Sequence, residues 1–280
     1  MRAAADLPNF APIVAEVVIL EVAVGTAALS YLVDLFGRVG RGFVGTTALI
    51  CAALMGLDLI FLLLLVTDPG RLLGSNLSSA AMAAADRWAI AFTGLLLLHA
   101  LFCAIGTDPA RWVIGAVELV VGVLAVVAVA SALGPGLGGT GSALAAFLPA
   151  ALLAGSVVSG MLLGHWYLIS PSLSFRPLRQ AAYLIFAAVA VQAVVIVAAL
   201  LGAAAQARAA LVGPDYGLPF WALVVGAGIA ATAGVNVLTL HFARIRANQP
   251  ATAMLYALIV TVVMGVIPAH LIFFLTSTPV

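Results

Sequence analysis

Eight ionisable side chains lie inside long apolar stretches of this sequence. An ionisable side chain at the centre of a membrane helix costs roughly 3 kcal/mol on insertion scales, so each one needs a function or a polar partner. Carboxylates and imidazoles in such positions are typical of proton relays, ion paths and cofactor ligands. The eight residues are Glu16, Glu21, Asp58, His99, Glu118, His165, His241 and His270.

Their depth along the helices divides these residues into two layers. At a helical rise of about 1.5 Å per residue, three histidines from three different helices lie within about 10 Å of one another in depth. This inner layer contains His99, His165, His241 and Glu118. The outer layer contains Glu16, Asp58 and His270, with Glu21 nearer the middle. Similar depth on separate helices favours a shared site.

One hypothesis is a redox function, in which a pair of histidines ligates haem b between helices. Bis-imidazole ligation needs histidines on separate helices at one depth, with small residues beside the porphyrin. The candidate cofactor ligands are His99, His165, His241 and His270. The candidate proton relay, serving a bound quinone or proton passage, is Glu21, Asp58 and Glu118. The glycines that would admit a porphyrin are Gly155, Gly160, Gly164, Gly226, Gly228 and Gly234.

Two other hypotheses use the same residues. In a proton-coupled small-molecule transporter, the acids and histidines form the proton path and the substrate binds near the midplane. In a structural membrane subunit without cofactor, the polar residues only hold helices together. Of the three, the sequence favours the redox hypothesis, and the other two rank equally after it.

Most of these residues also have a simpler interpretation. His241 lies beside Arg244 at the membrane edge. His165 precedes Trp166 and Tyr167, an aromatic pair typical of an interfacial belt. His270 follows Pro268 and would satisfy a carbonyl that the proline frees. His99 would make an interhelical hydrogen bond, and Glu118 would form an ion pair with Arg111, seven residues earlier. Glu16 would reach the outer interface, whereas Glu21 and Asp58 have no nearby partner in sequence.

Composition sets the fold class. Hydrophobic residues make up 65% of the chain and charged residues 8%, against roughly 25% charged in soluble domains. With several apolar runs of membrane-spanning length, the sequence predicts an all-α polytopic membrane bundle of about eight transmembrane helices in one membrane domain covering residues 1–280. The predicted spans are 10–33, 42–67, 88–106, 111–133, 142–169, 178–203, 218–243 and 251–275.

Smaller patterns refine this organisation. The loop 68–87 contains an alanine-rich stretch that is predicted to form a short interfacial helix. The spacing from His99 to Pro109 is ten residues and that from His241 to Pro250 is nine, which either marks a duplicated helix pair or arises by chance. Cys51 and Cys103 lie in apolar helices and are interpreted as small buried side chains rather than a disulfide.

Charge and motifs restrict the classes of partner that the protein could bind. A net charge of +1 gives no support for nucleic-acid binding. Seven arginines fall in loops on one side and four on the other, which predicts an inner (cytoplasmic) membrane location with both termini outside. Metal-binding and hydrolase motifs are absent from the sequence, so no metal beyond haem iron is expected, and any enzymatic activity would be that of a non-hydrolytic membrane oxidoreductase. The short loops favour partner membrane and peripheral subunits besides the lipid bilayer.

Overall fold

The computed structural model of the chain describes residues 7–65, 77–106, 108–170 and 172–280, and their side chains except those of 7–9 and 61–65. These residues form nine helices and no strand. The helices are α1 Leu7–Gly37, α2 Arg41–Leu65, α3 Ser79–Ile105, α4 Asp108–Leu133, α5 Thr140–Ile169, α6 Arg176–Gly202, α7 Ala205–Val212, α8 Gly217–Arg244 and α9 Asn248–Thr276. All except the short α7 are long and apolar enough to cross a membrane. The predicted all-α membrane bundle of eight spans is confirmed.

The start of α3 differs from the sequence prediction. The helix begins at Ser79, where the Ser78 hydroxyl oxygen accepts a hydrogen bond from the Ala81 N–H at 3.3 Å. The stretch 77–85, predicted to form a separate interfacial helix, therefore provides the cap and the first turns of α3. The reason is that this alanine-rich stretch contains no glycine or proline that would interrupt a helix. The rest of that predicted loop, residues 68–76, lies outside the described residues.

The helices connect in alternation at two ends of the bundle. We call the end with the connections after α1, α3, α5 and α8 the short-loop end, and the opposite end the long-loop end. Contacts across the short-loop end confirm this arrangement, because Gly37 packs on Pro177 and Gly42 packs on the Trp166 ring. At the long-loop end, the rings of Phe10 and Phe274 lie 5.9 Å apart.

The eight spans divide into two halves of four helices that pack in the same order. In the first half, α1 contacts α2, α2 contacts α3, α3 contacts α4, and α4 returns to α1. In the second half, α5, α6, α8 and α9 contact one another in the same cycle. The histidine–proline spacing noted in the sequence falls on corresponding helices, α3–α4 and α8–α9. This is the packing expected of a parallel repeat related by an axis along the membrane normal.

The halves meet along a seam, by which we mean all contacts between them, centred on α1 against α5. The contacts between the halves are symmetrical. The first helix of each half also contacts the last helix of the other, because α1 contacts α9 and α5 contacts α4. Gly25 and Gly155 bring the two central backbones together, since a Cβ on either would overlap the other helix. Deeper along the seam, the hydroxyl oxygens of Ser30 and Ser159 lie 2.8 Å apart.

The outward faces of the helices are apolar. Val194 and Leu201 on α6 are 67% and 74% exposed, and Leu218 at the start of α8 is 81% exposed. Exposed aliphatic side chains around a bundle fit contact with lipid rather than water. The chain is therefore an integral membrane protein with a lipid-facing surface.

Candidate functional site

Glu21 and His270 form a buried hydrogen-bonded pair across the seam. Glu21 comes from α1 in the first half and His270 from α9 in the second, and each is at most 2% exposed. The His270 Nε2 atom lies 2.8 Å from Glu21 Oε1, and its Nδ1 atom lies 2.9 Å from the carbonyl oxygen of Val266. Both ring nitrogens of His270 are thus occupied by hydrogen-bond partners.

The partners of His270 fix how protons are distributed in this pair. A carbonyl oxygen only accepts, so His270 Nδ1 carries a proton and donates to Val266. One further proton lies between Nε2 and Glu21 Oε1, giving either a carboxylic acid with a neutral imidazole or a carboxylate with an imidazolium. The pair is electrically neutral in both forms, which is why it can be buried in an apolar bundle. It can pass a proton within itself without changing its net charge.

The surroundings of the pair are apolar on one side and polar along the seam. The Phe147 ring of α5 stacks on His270 with centroids 5.6 Å apart and planes 7° from parallel. The second carboxylate oxygen of Glu21, Oε2, and the hydroxyl of Thr26 are buried and have no hydrogen-bond partner among the described residues. Glu21 and Thr26 belong to α1, and the Ser30–Ser159 hydrogen bond crosses the seam from α1 to α5.

A cavity of about 30 Å³ near the long-loop end is bordered by three carboxylates, enough volume for about two waters. Glu16, Asp58 and Asp86 line it, and no basic residue of the described part of the chain does. Asp58 is 5% exposed, and its Oδ1 atom is buried without a partner within the described part of the chain. The sequence pattern indicated Glu16 and Asp58 but not Asp86, because the predicted spans leave that residue in a loop.

His99 and Glu118 form a second buried pair, inside the first half and toward the short-loop end. His99 Nδ1 lies 2.6 Å from Glu118 Oε2, and both residues are 2% exposed. A separation this short is typical of a charge-assisted hydrogen bond. Glu118 therefore has His99 as its partner, and the ion pair with Arg111 that its sequence position indicated does not form.

Arg111 instead binds Asp34, a residue that the sequence analysis missed. Arg111 Nη1 donates to Asp34 Oδ2 at 2.6 Å, and Arg111 Nε donates to Asp108 Oδ1 at 2.9 Å. The other oxygen of Asp34 accepts a hydrogen bond from the Gly40 N–H at 2.6 Å. Asp34 was missed because the predicted span ended at residue 33, whereas α1 continues to Gly37. This network ties α1 to α4 at the short-loop end.

The other two histidines lie on the outside of the short-loop end. His165 and His241 are both exposed, and His165 Nδ1 lies 3.5 Å from the Tyr256 hydroxyl oxygen. The structure thus brings the predicted residues together as two pairs, Glu21–His270 and His99–Glu118, on opposite sides of the bundle's middle. It does not gather the four histidines at one place.

Comparison with protein-family models, with curated proteins and with solved structures finds no match. Function therefore follows from the chemistry of these residues.

The glycines considered as porphyrin contacts mostly mediate helix packing. Gly155 packs on Gly25, Gly228 on Gly265, and Gly160 on the Leu255 side chain. Of the remaining three, Gly164 also packs on α9, whereas Gly226 and Gly234 contact no neighbouring helix.

Metal ligands do not cluster in the described part of the chain. No group of three or more His, Cys, Asp or Glu side chains there has a geometry that could hold a metal ion. Cys51 and Cys103 are free and buried.

Proposed function

We propose that this protein is a proton-coupled transporter of a small molecule, and that the Glu21–His270 pair carries the coupled proton. The observation that supports this most is the position of the pair. It is the buried ionisable pair whose two members belong to different halves of the repeat. In transporters built from repeats, substrate and coupling-ion sites lie at the interface between repeats, and transport proceeds by movement of one repeat against the other.

The chemistry of the pair links proton binding to such a movement. The bond from His270 Nε2 to Glu21 Oε1 exists only while the two halves are in contact at this level. If the seam opens, the shared proton leaves or stays with one partner, and water reaches both. A conformational equilibrium whose two states hold different numbers of protons is driven by a proton gradient. The free Oε2 atom of Glu21 is the place where an arriving proton binds first.

Three further acids, of which Asp58 is buried and Glu16 and Asp86 are half-buried, would form a route between the pair and one surface. The cavity bordered by Glu16, Asp58 and Asp86 contacts α1 on the long-loop side of Glu21. Water inside it would connect the long-loop surface to the level of the pair, since polar cavities of this size hold ordered water. We assign Asp58 and Glu16 to proton entry or exit, and Glu118 with His99 to the corresponding passage toward the short-loop end.

The redox hypothesis, with haem b or quinone and partner subunits of a respiratory-type complex, stays a prediction that the geometry favours less. Both ring nitrogens of His270 are occupied, so as arranged it has no lone pair for iron. His99 and His270 lie toward opposite ends of the bundle, too far apart in depth to share one haem plane. Location in a cytoplasmic membrane with outside termini also stays a prediction.

Solute-dependent proton flux tests the transport proposal. Proteoliposomes with an internal pH dye and an imposed pH gradient would be exposed in turn to panels of amino acids, sugars, organic acids and organic amines. We expect one class to accelerate collapse of the gradient with wild-type protein and not with Glu21→Gln. Stoichiometric haem with a b-type spectrum in the purified protein, together with no solute effect, would contradict transport and restore the redox hypothesis.

A further inference from the structure

Three arginines from two separate segments border one cavity at the short-loop end. Arg176 and Arg179 belong to the first turn of α6, and Arg246 follows α8. The cavity has a volume of about 380 Å³ and is also lined by Ser172, Ser174, Leu173 and Phe175. It belongs to neither buried pair, and no role in proton coupling uses it.

The charge of this cavity is uncompensated within the described residues. The ion pairs among the described residues are made by Arg111, His99 and His270. None of them is made by the three cavity arginines. The first turn of α6 also lacks a side-chain cap, so its positive dipole end and free N–H groups add to the same field. Three guanidinium groups around one cavity create a positive potential there that attracts an anion.

The wall of the cavity is held in place by Tyr167 of the preceding helix, α5. The Tyr167 hydroxyl donates a hydrogen bond to the Ser174 carbonyl oxygen. The rings of Tyr167 and Phe175 lie 5.4 Å apart. Because the loop 172–175 is tied to α5 in this way, the arginines are presented on a fixed backbone and lose less entropy on binding a ligand.

We propose that this cavity binds a phosphate group, and specifically the headgroup phosphate of an anionic phospholipid. Guanidinium groups match phosphate oxygens in charge and in bidentate geometry, and the two serine hydroxyls are further donors. Leu173 and Phe175 line the same cavity at the end of the spans, where an acyl chain would leave the headgroup. Basic pockets between membrane helices bind anionic lipid headgroups in this manner.

Lipid binding by the full-length protein tests this proposal. Native mass spectrometry in mild detergent would compare dioleoyl phosphatidylglycerol with dioleoyl phosphatidylcholine. The pocket variant is Arg176→Gln, Arg179→Gln and Arg246→Gln. The matched control removes three other arginines of the same end, by Arg38→Gln, Arg41→Gln and Arg244→Gln. We expect phosphatidylglycerol affinity to fall roughly tenfold or more in the pocket variant and to stay near wild type in the control.

Other outcomes would overturn all or part of the proposal. An equal loss in both variants, or no preference of the wild type for phosphatidylglycerol, would overturn the proposal. Calorimetric titration with inorganic phosphate distinguishes the source of the ligand. Phosphate binding that only the pocket variant loses, without any lipid preference, would keep the phosphate site but overturn the lipid assignment. If the triple variant fails to fold, Arg246→Gln alone gives the same comparison against Arg244→Gln.

Discussion

Glu21 and His270 are separated by 249 positions in the chain, yet their side-chain atoms Oε1 and Nε2 lie 2.8 Å apart. The contact joins the first span to the last and closes the bundle across its seam. Since His270 Nδ1 is committed to Val266, the single proton between Nε2 and Oε1 is the exchangeable one. This arrangement leads to predictions that separate the chemical role of the pair from its structural role.

Glu21→Gln should leave stability nearly unchanged, whereas Glu21→Ala should lower it. The Gln amide can donate to His270 Nε2 and keep both ring nitrogens satisfied. Alanine leaves Nε2 buried without a partner, which costs about 1–3 kcal/mol. Thermal unfolding in detergent, followed by circular dichroism, measures the difference. Equal destabilisation by both substitutions would show that the carboxylate charge, not the hydrogen bond, holds the seam.

Asp34 and Arg111 should behave as a coupled buried pair. Removing one partner leaves the other as an uncompensated buried charge, which costs about 3–5 kcal/mol. We therefore expect Asp34→Ala and Arg111→Ala each to destabilise strongly, and the double variant to lose much less than the sum of the two. The control is Asp108→Ala, because the Asp108 side chain is 67% exposed and its loss should cost about 1 kcal/mol or less. Additive single effects would contradict this coupling.

Asp58→Asn should affect stability in the opposite sense from Asp34→Asn. Asp58 Oδ1 has no partner among the described residues, so replacing the ionisable carboxyl group by a neutral amide breaks no hydrogen bond of that atom. We expect Asp58→Asn to be neutral or to stabilise by about 1 kcal/mol, and to reduce proton movement. Asp34→Asn weakens a formed ion pair and should destabilise. Stability and proton flux measured on the same two preparations check this, and a destabilised Asp58→Asn would indicate a structural role for Asp58.

Gly155→Ala should disrupt the seam, and Gly234→Ala should not. A methyl group on Gly155 would overlap the backbone of Gly25, whereas a methyl group on Gly234 would meet nothing within 4 Å. In the open position, alanine favours the helix over glycine by about 1 kcal/mol. Thermal unfolding should therefore show a lower midpoint for the first substitution and an equal or higher one for the second. The same response at both positions would argue against close packing of α1 on α5.

The sequence predicted the helices and the polar residues well because both depend on local pattern. Apolar runs of membrane length located the eight spans, and their interruption by Glu21, Asp58, His99, Glu118 and His270 marked residues that proved to be buried. The partners could not be predicted, because they depend on the order of helices in space. The sequence indicated Arg111, on the same helix face, as the partner of Glu118. In the bundle its partner is His99 from α3.

The two missed acids have a common cause. Asp34 and Asp86 lie within one or two turns of a helix end, where an apolar pattern fades before the helix does. Asp34 was left in a loop after the first span, and Asp86 in the loop before the third. The position of each within a helix is apparent only because α1 continues to Gly37 and α3 begins at Ser79.

The most direct test of the account is the charge movement that follows a pH step. Wild-type protein and Glu21→Gln would be reconstituted at equal density, adsorbed on a solid-supported membrane and exposed to a rapid pH change without substrate. A proton that binds Glu21 from one side moves charge within the membrane and gives a transient current. We predict this current in the wild type and its loss in Glu21→Gln, with the Glu118→Gln variant retaining part of it. Equal transients in wild type and Glu21→Gln would contradict the central claim that the seam pair carries the coupled proton.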